Sequence, residues 1–135
     1  MTQSGDAFDP HVSRDGRFIV ALRKAADKSE MWMMNIDGSQ LRRITTGESF
    51  DASPVLRAAG STIVFARAAR IGSTGRLMDW DLYEAQIASG MVRQLTATGF
   101  LRLSRVDLMP DDQRAVVSAE ERVGGPGVIR RLGST

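Results

Sequence analysis

Cysteine is absent from the chain. That excludes disulfide staples, thiolate metal sites and a cysteine nucleophile. His11 is the single histidine, so a histidine metal cluster is impossible within one chain, and a Ser-His-Asp triad would have to rest on this residue alone. Lysine is almost missing: Lys24 and Lys28 are the only two, and the 18 basic residues face 16 acidic ones. A formal net charge of +2 is too balanced to argue for nucleic acid. No apolar run reaches the length needed to cross a bilayer. The opening MTQSGDAFDP lacks the basic start and apolar core of a secretory signal. These absences lead to the expectation of a soluble, non-exported polypeptide, or of a mature or excised piece of something longer.

What the chain does have is an internal repeat. Its 135 residues suit one domain, and 42% hydrophobic content is ordinary for a globular one. The tract Met31–Thr45, MWMMNIDGSQLRRIT, places Asp37-Gly38 between two strand-like runs, the strongest short-range hairpin signal. Upstream, PHVSRDGRFIVAL from Pro10 is echoed by PVLRAAGSTIVFA from Pro54. Pro10/Pro54, Gly16/Gly60 and Ile19/Ile63 share one spacing of 44 residues. Trp32/Tyr83, Ile44/Leu95 and Thr45/Thr96 share a spacing of 51, which puts a seven-residue insertion between Ala66 and Tyr83. A third copy begins near Val106 as VDLMPDDQRAVVSA. It resumes after Gly124-Gly125-Pro126-Gly127 as VIRRL, from Val128 to Leu132.

Each copy divides into four short strand candidates. In the first they fall near Pro10–Arg14, Arg17–Arg23, Glu30–Ile36 and Gln40–Thr45, with turns or loops at 14–16, 24–29 and 37–39. The apolar runs are too short for helices; loop is expected at Ala21–Lys28 and Ala66–Arg70, where alanines alone hint at a helical turn. FIVAL and TIVFA are apolar on both alternating faces, as suits a sheet stacked on both sides. QLRRIT and MVRQLT carry arginine or glutamine, as suits an outer edge. A graded four-strand unit, repeated, predicts an all-β fold of four-stranded antiparallel propeller blades. Blade 1 is expected at about 7–46, blade 2 at about 50–97 and blade 3 at about 103–132.

These residues resemble the TolB-type propeller repeat, a relative of the WD-repeat propellers. The resemblance rests on Pro10-x-Val-Ser-Arg-Asp-Gly-Arg-x-Ile19, then Met31–Ser39, then Arg42-Arg43-Ile44-Thr45. The second copy keeps Asp51, Pro54, Gly60, Ile63, Phe65, Tyr83, Leu95 and Thr96, with Arg57-Ala58-Ala59 replacing the usual Ser-Pro-Asp. The third keeps Met109-Pro110-Asp111 but has Asp112 where glycine is usual, and Val12, Leu56 and Leu108 stand where the family has tryptophan. The resemblance implies a bacterial protein-interaction platform, periplasmic in the best-known relatives. It also admits a gating propeller on a prolyl-oligopeptidase-type serine peptidase. Three blades do not close a ring, since propellers have about four to eight. The expectation is an incomplete ring, either a fragment of a longer propeller or a pair of copies meeting head to tail.

No catalytic, metal or cofactor site is expected. Asp15, Asp37, Asp111 and Asp112 lie in turns, where Asp side chains bond their own backbone. Arg42-Arg43 and Arg130-Arg131 point to opposite strand faces and form no patch. The loop 124–127 lacks the lysine and helix of a phosphate loop. Trp32 and its neighbouring methionines are expected in the core, with Trp32→Ala costing about 3–5 kcal/mol. The functional expectation falls on loops, which carry binding more often than scaffolds do. Lys24–Ser29, Thr46–Ser53, Arg67–Asp81 and Ala97–Arg105 should share one face of the blades. The longest of them offers Arg67, Arg70, Ile71, Arg76, Leu77, Met78 and Trp80 as a candidate partner-binding loop. The alternative expectations are a peptidase's propeller and the sensor segment of a regulator. The chain shows neither a Gly-x-Ser-x-Gly elbow nor a helix-turn-helix pattern.

Overall fold

A computed structural model of the chain describes residues 7–25, 28–45, 49–57, 60–71, 73, 75, 77–109, 113–120 and 128–131. These residues contain strands and no helix. The first sheet runs β1 (Ala7–Val12), β2 (Phe18–Ala25), β3 (Lys28–Asn35) and β4 (Arg42–Arg43), each hydrogen-bonded antiparallel to the next. The second repeats that order with β5 (Phe50–Leu56), β6 (Thr62–Ile71), β7 (Leu77–Gln86) and β8 (Val92–Gln94). The third contains β9 (Arg102–Leu108), β10 (Arg114–Glu120) and β11 (Val128–Arg131). This is the all-β, four-stranded blade architecture that the repeat spacing predicts.

Alternation of side chains along the middle strands builds the stack. In the second sheet Ile63, Phe65, Ala85 and Ile87 turn one way and pack on Val20, Leu22, Met31 and Met33. Val64, Ala66, Ala68, Trp80 and Leu82 turn the other way and pack on Leu103, Val106, Ala115, Val117 and Ala119. With a side-chain period of two, one strand can serve both neighbours. The second blade is therefore the shared wall of two separate cores.

The same local devices recur at the repeat spacing. The Thr45 hydroxyl oxygen accepts from the Met31 N–H at 3.0 Å, and the Thr96 hydroxyl accepts from the Leu82 N–H at 2.9 Å. Each threonine thus serves a backbone donor left over where the short fourth strand peels away. At the inner edge, β1 and β5 each carry a bulge whose residue has positive φ, 49° at Asp9 and 53° at Ser53. Those two side chains reach the next sheet: the Ser53 N–H donates to Asp9 Oδ2 at 3.1 Å, and the Val106 N–H donates to Ser53 Oγ at 2.8 Å. The turn carboxylates behave as turn chemistry. Asp37 Oδ1 accepts from the Ser39 N–H and hydroxyl. Asp15 is held down to about 2 by the Ser13 hydroxyl first, then by the Arg17 guanidinium and N–H.

Several expected boundaries move. Ala66–Arg70 is strand, because Ala66 and Ala68 face the third sheet and pair with Leu82 and Trp80. The described part of 24–29 also extends a hairpin, with Lys24 opposite Ser29 and Ala25 opposite Lys28. The first strand starts earlier than Pro10 because its bulge lets Ala7 and Phe8 pair with Arg23 and Leu22. The fourth strand shrinks to Arg42–Arg43, since Gln40 takes a φ of 57° and Ile44 turns in to donate to the Met31 carbonyl. Asp111, Asp112 and the 124–127 loop lie outside the described residues.

Trp32 departs from expectation more sharply. Met31 and Met33 are buried between the sheets, but Trp32 and Met34 are on the opposite, outward face and only partly covered. In dilute protein, Met31→Ala should lower the unfolding free energy by about 2–5 kcal/mol, and Trp32→Ala by less. Urea titration of both variants measures this, and a larger loss for Trp32→Ala would contradict the assignment of faces.

Candidate interaction surface

The described ends of the β2–β3 and β6–β7 hairpins and the segments crossing between sheets gather on one rim. Ser29 bridges Ser49, and Trp80 bridges Phe100. These two bridges are 51 residues apart, so they are the same joint in successive repeats. At the first joint, Ser29 Oγ accepts from the Asp51 N–H at 2.6 Å and donates to the Asp51 carbonyl at 2.9 Å. At the second, two backbone hydrogen bonds of 2.9 and 2.8 Å join Trp80 and Phe100. Phe8, Phe50 and Trp80 form a line beneath the rim: Phe8 stacks on Phe50 with centroids 6.1 Å apart, and Phe50 meets Trp80 edge-on at 6.2 Å.

Two buried carboxylates anchor this rim. Asp51 is 1% exposed, and Arg67 grips it from Nε at 2.7 Å and Nη2 at 3.1 Å. The same guanidinium lies 5.2 Å from the Phe65 ring centre and 5.1 Å from that of Tyr83. Burial pushes the Asp51 carboxyl above its ordinary range, and the Arg67 charge pulls against it without fully compensating. Asp81 pins the next crossover: its oxygens accept from the Thr96 hydroxyl at 2.6 Å, the Thr98 N–H at 2.7 Å and the Gly99 N–H at 3.0 Å. Neither residue stood out as an anchor in the sequence. Asp51 and Pro54 are among the repeat residues that the second copy keeps, but nothing in their spacing reveals the arginine partner of Asp51.

The candidate binding residues separate by depth. Arg67 belongs to the Asp51 clamp, and Trp80 is 7% exposed in the core. Leu77 and Met78 are partly exposed on β7. Arg70 and Ile71 complete β6 opposite Met78 and Leu77, and Arg76 lies outside the described residues. Strands β6 and β7 pair out to Ile71 and Leu77, beyond the last rung that β5 makes at Ala68. The expected long loop is thus largely a projecting hairpin. Within it Asp79 takes a φ of 58°, a strained backbone for a residue with a Cβ.

A concavity of about 290 Å³ lies along the inner edge between β1, β5 and β9. His11 faces it together with Asp9, Ser53, Arg105 and Asp107. Burial lowers the His11 pKa below 6.5 and Arg14 acts the same way, against the raising effect of Asp107. No group of three or more potential metal ligands occurs among the described residues.

No family model matches the chain, and no curated protein does. Solved structures match. The putative TolB from Agrobacterium tumefaciens superposes with a TM-score of 0.71 at 18% identity, covering 89% of this chain and 40% of that one. An oligogalacturonate lyase from Vibrio parahaemolyticus gives 0.64 at 14% identity over 96% of this chain and 41% of its own. The β-propeller domain of the Trilobed protease from Pyrococcus furiosus gives 0.59 at 13% identity, over 82% and 33%. At such identities the likeness is one of fold. The described residues form an open arc of TolB-like propeller blades, and the chain spans between a third and about two-fifths of the length of these proteins. That fold occurs here in a TolB and in propeller-bearing enzymes alike.

The Asp51–Arg67 pair yields a pH-dependent expectation. A carboxyl whose native pKa is raised contributes most to stability below its unfolded value and loses that contribution as pH rises through the native one. Arg67 limits this loss. Arg67→Ala should therefore destabilise the fold by about 3–5 kcal/mol near neutral pH and by clearly less in acid, because burial favours the protonated Asp51 carboxyl as pH falls. Urea unfolding at both pH values measures it; an equal loss at each would show that Asp51 carries no uncompensated charge.

Proposed function

We propose that this chain is a non-catalytic interaction module that binds a protein partner through the rim of hairpin ends and crossovers. The observation that supports this best is the projecting β6–β7 hairpin. It places Leu77 and Met78 beside the strained Asp79, while Arg67 and Trp80 hold it from beneath. Strained backbone gathers at ligand clamps, where surrounding packing over-determines it. Methionine is a flexible, polarizable contact residue. Arg70, Ile71 and Arg76 belong to the same proposed surface. The two buried carboxylates engage structural partners, Asp51 the Arg67 guanidinium and Asp81 the 96–99 crossover.

A photo-crosslinker at position 78 should capture the partner, whereas one at Met91, 69% exposed in the β7–β8 turn, should not. Met78→Asp should cut partner recovery by about tenfold, the equivalent of about 1.4 kcal/mol. Equal capture from both positions, or full recovery with Met78→Asp, would refute the rim as the binding face.

A further inference from the structure

One rung of the sheet can be compared directly between the first two blades. Met33 faces Arg42 across β3 and β4, and Glu84 faces Arg93 across β7 and β8. The two rungs are 51 residues apart and are therefore counterparts. In the second blade the rung is an ion pair. Glu84 Oε1 lies 3.1 Å from Arg93 Nη2, and Glu84 Oε2 lies 2.8 Å from Arg57 Nη2. In the first blade Met33 stands where that carboxylate would be. It packs into the core shared with the second sheet, while Arg42 stays exposed. Among the described residues no carboxylate pairs with Arg42; Glu30, also on β3, is held by Arg43 at 3.0 Å.

The space beside Arg42 is a concavity of about 230 Å³, lined by Phe18, Met33, Met34, Asn35, Gln40 and Arg42. It lies at the end of the strands away from the rim, where Phe18 pairs with Asn35 next to the 37–39 turn. Phe18 packs against the same core as Met33, so the walls are largely apolar. Asn35 is committed to the turn, its Nδ2 donating to Ser39 Oγ at 3.1 Å. Gln40 enters β4 with a φ of 57°, a strained backbone for a residue with a Cβ. Strain of this kind gathers at ligand clamps. Apolar walls with one or two placed polar groups are how small-molecule sites are built.

We propose that this concavity binds a small organic acid, whose carboxylate takes on Arg42 the place that Glu84 takes on Arg93 and whose hydrocarbon part lies against Phe18 and Met33. The planar guanidinium matches a carboxylate with two parallel hydrogen bonds. The volume falls short of the about 300 Å³ at which pockets for drug-sized ligands begin, so the acid is a short one. One charge contact in an open cleft and a few covered methylenes set the dissociation constant at about 1 mM. An acidic side chain from a partner protein brings the same charge on a stem too short to cover the apolar walls. The site is separate from the proposed partner rim and does not depend on it.

Titration of the full chain with sodium hexanoate, followed by proton–nitrogen NMR of backbone amides and arginine Nε–H groups, tests it. The Arg42 Nε–H and the Gln40 amide should shift and saturate with a dissociation constant of about 1 mM. Hexanamide, which lacks the charge, acetate, which lacks the tail, and N-acetylglutamate α-amide, which stands for a partner's acidic side chain, should each bind at least about tenfold more weakly. Arg42→Gln, at an exposed position, should abolish the saturable response, and Arg93→Gln should leave it unchanged. No saturation by about 20 mM, equal shifts at other exposed arginines such as Arg43 and Arg105, equal binding of any of the three control compounds, or binding that survives Arg42→Gln would each overturn the proposal.

Discussion

Face-to-face stacking of twisted sheets is the constraint from which the rest follows. A sheet with two apolar faces is stable only with a neighbour on each side, and stacked sheets settle about 10 Å apart, filled by interlocking side chains. The second blade meets that demand fully, with Phe65 and Ile63 on one side and Val64 and Leu82 on the other. The hydrophobic effect gives this stacking most of its strength but little direction. Register between blades is left to polar contacts at the two ends of the strands.

Those contacts show how a repeat keeps its geometry while changing its chemistry. Ser29 with Ser49, and Trp80 with Phe100, make one joint in two versions. The first version is polar and pairs with the Asp51–Arg67 clamp; the second is aromatic and sits in the core below the third blade. Backbone pairing is common to both, so the side chains were free to diverge. At the inner edge, Asp9 and Ser53 do the reverse: different residues adopt one positive-φ bulge and give the same bond to the next blade. The β6–β7 hairpin rests on this framework: Arg67 and Trp80 are committed to the joints, Leu77 packs against the core, and Met78 is partly exposed.

The two ends of the arc are unequal for a related reason. A strand that alternates apolar residues on both faces, as FIVAL does, is suited to burial on both. The β10 strand instead reads Arg114, Val116, Ser118 and Glu120 on its outward row and Ala115, Val117 and Ala119 on its buried one. One end therefore presents an interior-type face and the other a surface-type face. Blade stacking alone would have made them alike.

The repeated blade, its antiparallel strand order and the turn at Asp37-Gly38 were legible in the amino-acid sequence. Period-two alternation, the 44-residue spacing of Pro10 with Pro54, and Asp-Gly at 37–38 are local or repeated signals, and local steric rules act on them directly. Only the tertiary structure decided which of two apolar rows is covered, which put Met31 inside and Trp32 outside. It also converted the 67–81 stretch from a loop into a hairpin tied down by Asp51 and by Phe100. Alternation states that a face is apolar, but what lies on that face comes from a different sheet. Burial of one residue is then fixed by others far along the chain, and no local pattern contains that information.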